Sequence, residues 1–108
     1  MYRTHTCGEL RLENVNQKVT LSGWIQKIRN LGAMTFVDLR DRYGITQLVV
    51  EESATEEIKK QVGELGREYV IQVEGNVVER ASKNNKIPTG DIEILIEKIN
   101  VLSNSEIP

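Results

Sequence analysis

Arg29, Phe36 and Gln47 stand within one stretch of the chain, Gly23 to Val50, that also carries Lys27, Arg40 and Arg42. An aromatic ring can stack on the face of an unpaired base, an amide can hydrogen-bond its edge, and cations can hold the flanking phosphates. Those are the requirements for gripping a single-stranded nucleic acid. They are not the requirements of a catalyst. The sequence has no P-loop, no GxSxG, no HExxH and one histidine, His5, so no general acid, base or nucleophile set can be assembled.

Strands must position these groups, because successive strand side chains point to opposite faces. Val19, Leu21, Gly23 and Ile25 share one face of a first strand over about Lys18 to Arg29, with Thr20, Ser22, Trp24 and Gln26 on the other. In a second strand, about Ala33 to Arg40, Val37 and Leu39 oppose Met34, Phe36, Asp38 and Arg40. In a third, about Ile45 to Glu51, Leu48 and Val50 alternate with Ile45, Gln47 and Val49. The only phenylalanine therefore lies on a mixed polar face, and Gln47 is an amide among apolar neighbours. The connections Asn30-Leu31-Gly32 and Asp41-Arg42-Tyr43-Gly44 are short and carry turn residues, which predicts an antiparallel meander. Arg40 and Arg42 are expected to act as solubilising charges or to pair with Asp38 and Asp41, and Trp24 to be a packing residue at one end of the sheet once it closes.

Residues 1–17 read as a lead-in, where Thr6 and Glu9 have capping-box spacing that predicts a short helical turn carrying Leu10 and Leu12 inward. After the three strands, Ser53 and Glu56 repeat that spacing and open a helix to about Leu65, with Ile58, Val62 and Leu65 at helical intervals and Gly66 as its stop. Tyr69 to Arg80 alternates as a fourth strand, Ala81 to Gly90 is a polar loop, and Ile92, Ile94 and Ile96 begin a fifth strand reaching about Leu102. Three strands, a helix and two strands make an all-β fold with one helix. This is the order of a five-stranded OB barrel, spanning 18–102, which binds oligonucleotides across its second and third strands. Residues 103–108 turn polar and read as the start of a linker in a chain cut from something longer.

With 108 residues there is one domain, and a net charge of −2 argues against a generic polyanion binder. The charge is distributed unevenly. Trp24 to Tyr43 holds Lys27, Arg29, Arg40 and Arg42 against Asp38 and Asp41, while Glu51 to Glu68 is dominated by glutamates. The single cysteine, Cys7, permits no internal disulfide and gives no reason to expect zinc; together with the lack of a membrane-length apolar run or signal segment, this predicts a cytoplasmic protein. His5 and Cys7 read as local structure.

The chain resembles the N-terminal anticodon-binding domain of class II aminoacyl-tRNA synthetases of the aspartate, asparagine and lysine group. The residues that carry the resemblance are Gly23-Trp24, Arg29, Gly32, Phe36, Asp38-Leu39-Arg40-Asp41, Gly44 and Gln47; the opening Arg3-Thr4-His5 with Cys7-Gly8-Glu9-Leu10 looks like the bacterial aspartyl branch. The resemblance implies a role at each matching position. Phe36 stacks on the middle uridine of the anticodon, Gln47 hydrogen-bonds that base, and Arg29 assists at its edge or phosphate. Glu93 looks like the acidic residue that reads the first base, guanosine or queuosine. Lys27 stands where the family often has arginine, and Arg80 and Asn84 look placed to meet the last base or its backbone. The implied partner is tRNA, with no membrane. The fragment needs no cofactor; ATP and Mg²⁺ belong to a catalytic part of the longer enzyme, through which that enzyme dimerises. Rival readings are an asparaginyl or lysyl relative and a sequence-tolerant single-strand binder, which should carry more stacking aromatics.

Overall fold

Alternation from Val19 to Ile25 produces a strand whose inward residues are fully buried, with Thr20, Ser22 and Trp24 only partly covered on the outside. In the computed structural model, which describes residues 3–103, this strand is β1 (Lys18–Leu31). It is followed by β2 (Met34–Asp41), β3 (Gly44–Val50), α1 (Glu56–Gly63), β4 (Val70–Glu79) and β5 (Ile92–Ser103). The strands close into a barrel in the order β1-β2-β3-β5-β4. Neighbours are antiparallel except where Leu48 and Val49 of β3 run parallel to Ile94 and Leu95 of β5. This is the expected five-stranded OB barrel; burial alternates as the sequence pattern predicts in β2, β4 and the first half of β5, whereas β3 is buried continuously from Thr46 to Val50, the expected outward residues Gln47 and Val49 included.

The first strand departs from strict alternation in a way that matters for the site. Ile25 pairs with Leu39 but Lys27 pairs with Asp38, so Gln26 is an extra residue in a β-bulge. Unbroken alternation would have carried Lys27 and Arg29 inward behind Ile25. Instead Ile28 turns toward the core opposite Val37, and Arg29 lies outward opposite Phe36. The strand continues two residues past the expected end, to Leu31, because the hairpin needs only Gly32 and Ala33 to reverse, with Gly32 at φ 64.

Two helical expectations are corrected. The Thr6–Glu9 contact forms, with the Thr6 N–H donating to Glu9 Oε1 at 2.6 Å, yet the chain makes a turn there and its short 3₁₀ helix comes later, at Leu12–Asn14. Leu10 is buried as expected while Leu12 is exposed. In α1 the cap is Thr55, whose hydroxyl accepts from the Ile58 N–H at 3.2 Å, so Glu56 opens the helix and Ser53 lies outside it. The helix ends at Gly63, a poor helix former, before Leu65. Ile58 and Val62 still close one mouth of the barrel.

The core joins inward residues of all five strands with Cys7, Leu10 and α1. Trp24 is not an end plug; it is half-buried on the outer face, opposite Arg40 and Val70. Gly75 marks a register shift between β4 and β5, where a Cβ would stand 2.2 Å from the Leu95 carbonyl oxygen. Of the expected linker over 103–108, residues 104–108 lie outside the described residues. Among the described residues no helix is long and apolar enough to cross a membrane.

Candidate nucleic-acid interface

The bulge in β1 and the pleat of β2 and β3 bring Arg29, Phe36, Asp38 and Gln47 onto one outer face. β5 adds Glu93 beside them, and the loop after β4 adds Arg80, Ala81 and Ser82. Together with Leu31 and Met34, all of these but Asp38 line a groove of about 290 Å³. Phe36 forms an apolar platform at the centre, its strand partner Val49 sealed beneath the surface at 1% exposure.

A chain of hydrogen bonds crosses the groove. Arg29 Nη2 donates to Asp38 Oδ1 at 3.0 Å and to Gln47 Oε1 at 2.7 Å. Gln47 Nε2 in turn donates to Glu93 Oε1 at 2.7 Å. The Arg29 guanidinium also lies 5.8 Å from the centroid of the Phe36 ring, within cation–π reach. Gln47 is 5% exposed, which makes its two bonds obligatory: a buried amide without partners costs about 1–3 kcal/mol. Two donors are left over, the Nε atoms of Arg29 and Arg80, both buried and without a hydrogen-bond partner. A groove with one aromatic platform, unsatisfied donors and a carboxylate can stack a planar ring and hydrogen-bond its edge.

Phe36, Arg29, Gln47, Glu93 and Arg80 are thus brought together. Two expected residues are not. Lys27 is exposed opposite Asp38 in the strand register and outside the groove lining. Asn84 is occupied within its own loop, its Oδ1 accepting from the Lys86 N–H at 3.0 Å. Nor do Arg40 and Arg42 pair with the neighbouring aspartates. Arg40 Nη1 donates to Gln26 Oε1 at 3.0 Å, and the Arg42 guanidinium lies 6.0 Å from the Tyr43 ring, whose other neighbour is Arg3 at 5.2 Å. Asp41 instead accepts three backbone N–H groups, and Asp38 is claimed by Arg29. Sequence reasoning missed Asp38 as a site residue; its place on the Phe36 face was the available signal. A second hollow of about 500 Å³, between the β1–β2 hairpin and α1, is lined by residues such as Ile28, Thr35 and Lys59 and has no aromatic platform.

The family model for tRNA anticodon OB-fold nucleic acid binding domains matches residues 19–102. Over 108 residues the chain is 58% identical to an aspartate–tRNA ligase of Bacteroides thetaiotaomicron, covering 100% of this chain and 18% of that protein. It is 59% identical over 109 residues to the aspartate–tRNA ligase of Porphyromonas gingivalis, covering 100% of this chain and 19% of that one. Among solved structures, asparaginyl-tRNA synthetase from Pyrococcus horikoshii complexed with asparaginyl-adenylate superposes with a TM-score of 0.80 at 32% identity, over 98% of this chain and 24% of that chain. The chain therefore spans about a fifth of the length of the curated relatives it matches.

Proposed function

We propose that this chain, which belongs to the tRNA anticodon family of OB-fold nucleic acid binding domains, reads the anticodon loop of aspartate tRNA for an aspartate–tRNA ligase. The observation that carries the reading is the groove in which Phe36 lies under the Arg29–Gln47–Glu93 hydrogen-bond chain. The middle anticodon base stacks on Phe36, and Gln47 and Arg29 hydrogen-bond its edge. Glu93 accepts from the first base, whose guanine edge offers N–H donors to a carboxylate. Arg80 meets the third base or its backbone from the rim, and Lys27 gives its charge to a phosphate outside the groove.

Recognition then works by leaving groups unpaired when the wrong base arrives. A buried donor or acceptor without a partner costs about 1–3 kcal/mol, or roughly five- to 150-fold in affinity per base. The longer protein would join aspartate to its tRNA with ATP and Mg²⁺ and act as a homodimer in the cytoplasm. That chemistry is assigned to a part of the enzyme beyond this chain.

Titrating the domain with anticodon stem-loops at two salt concentrations tests the reading. The aspartate loop should bind best, and changing its first or middle base should cost about tenfold or more at both salts. Changing the third base measures selection against the asparagine loop, the alternative suggested by the asparaginyl neighbour. Equal binding of all loops, weakening together as salt rises, would mean phosphate contacts alone.

A further inference from the structure

The polarity of the Gln47 amide is fixed by its two neighbours. Oε1 faces a guanidinium nitrogen, which can only donate, at 2.7 Å. Nε2 faces the Glu93 carboxylate, which when ionised can only accept, also at 2.7 Å. Turning the amide over would set donor against donor and acceptor against acceptor, so one orientation is strongly preferred. The wall beside Phe36 then carries chiefly donors: the second N–H of Gln47 and the Arg29 and Arg80 guanidinium groups that line the groove, whose Nε atoms are themselves buried and without a partner.

What holds the guanidinium in that role is Asp38. One nitrogen, Nη2 of Arg29, donates to both Asp38 Oδ1 and Gln47 Oε1, so the carboxylate pins the atom that sets the amide. Asp38 and Gln47 are direct partners across β2 and β3, and the Asp38 side chain is only 23% exposed. Without Asp38, the remaining carboxylate on this hydrogen-bond chain is Glu93. A guanidinium drawn toward Glu93 would release Gln47 from both of its constraints.

We infer that Asp38 is a positioning residue that sets the groove to accept a base with a keto oxygen at position 4 and to reject one with an exocyclic amine there. Uracil and cytosine share the O2 acceptor and differ at N3, a donor in uracil and an acceptor in cytosine, and at position 4, a keto acceptor in uracil and an amino donor in cytosine. The discrimination is made at position 4, where the amino group meets the donors of this wall. The inference rests on the reading above that the middle base enters this groove.

The experiment compares two stem-loops differing only in uridine or cytidine at the middle position, titrated into wild type, Asp38→Ala and Asp38→Asn. Wild type should favour the uridine loop by about tenfold or more, the cost of one unpaired polar group. Asp38→Ala should bring the ratio to within about threefold while leaving the salt dependence unchanged. Asp38→Asn, which keeps an acceptor oxygen, should restore most of it. A folded Asp38→Ala that keeps the wild-type ratio overturns the inference and leaves the anticodon reading standing. A wild type that binds both loops equally defeats the anticodon reading itself. If Asp38→Ala does not fold, side-chain amide NMR of the wild type decides: one protected, downfield-shifted Gln47 proton is expected, and a pair exchanging at the rate of free water-exposed amide overturns the positioning role.

Discussion

Replacing Asp41 with alanine should cost more stability than any surface change, because this carboxylate ties the lead-in to the barrel. Its Oδ2 accepts the buried Cys7 N–H at 2.9 Å, and its Oδ1 accepts the N–H groups of Tyr43 at 2.8 Å and Gly44 at 3.1 Å. The side chain is 8% exposed and has no cation within ion-pair distance among the described residues. The Cys7 amide would lose its only acceptor away from water, a cost of about 1–3 kcal/mol. The Tyr43 and Gly44 bonds are only part-buried, so their loss costs about 0.5–1.5 kcal/mol each. The sum is roughly 2–6 kcal/mol. Asp41→Asn retains one oxygen for the turn but faces the Cys7 N–H with an amide donor, so about 1–3 kcal/mol is expected. Urea denaturation of the three proteins reads these differences directly. For a domain of this size each kcal/mol lowers the melting temperature by about 4–8 °C. An alanine variant within about 0.5 kcal/mol of wild type would refute the reasoning.

Phe36→Ala should weaken binding of the aspartate loop by about 1–3 kcal/mol, the worth of one base–aromatic stack, with little change in the urea midpoint because the ring is already half-exposed; a loss of binding matched by a loss of fold would remove the support for stacking. Gly75→Ala would place a Cβ 2.2 Å from the Leu95 carbonyl oxygen and 2.8 Å from Ile94 Cγ2, so β4 and β5 must separate. About 1–3 kcal/mol of destabilisation is expected, and an unchanged urea midpoint would contradict it. The Cys7 thiol is pushed far above its ordinary value of 9.0, first by burial and then by Asp41, partly offset by Arg3. Below that value folded and unfolded chains both keep the proton and the contribution is fully present. As pH rises above it the unfolded chain ionises first and stability is lost. Melting temperature should therefore fall more steeply for wild type than for Cys7→Ala between about pH 8 and 10.5, and parallel curves would show that the thiol is not withheld from solvent.

The barrel was legible because its signal is local. Val19, Leu21 and Ile25, then Ile92, Ile94 and Ile96, repeat at the period of a half-buried strand, and the strand–helix order admits few closed sheets. The bulge at Gln26 was not legible, since a one-residue slip follows from pairing with Leu39 and Asp38 rather than from any property of Gln26 itself. Its effect on Arg29 was nonetheless anticipated from the family resemblance. Thr55 displaced Ser53 as helix cap because both are good caps and only the tertiary position of Ile58 and Val62 selects the start. The same limit explains the charges. Composition placed Arg40 beside two aspartates, but the strand register gave Asp38 to Arg29 and turned Asp41 onto backbone amides.

The most direct test of the central claim is a backbone and side-chain NMR titration of the labelled domain with the aspartate anticodon stem-loop. Shifts should concentrate on Arg29, Phe36, Gln47, Arg80 and Glu93, and the Gln72, Glu74 and Lys98 face across the barrel should stay still. Shifts centred on that opposite face, or spread over all exposed cations without favouring the groove, would contradict the account.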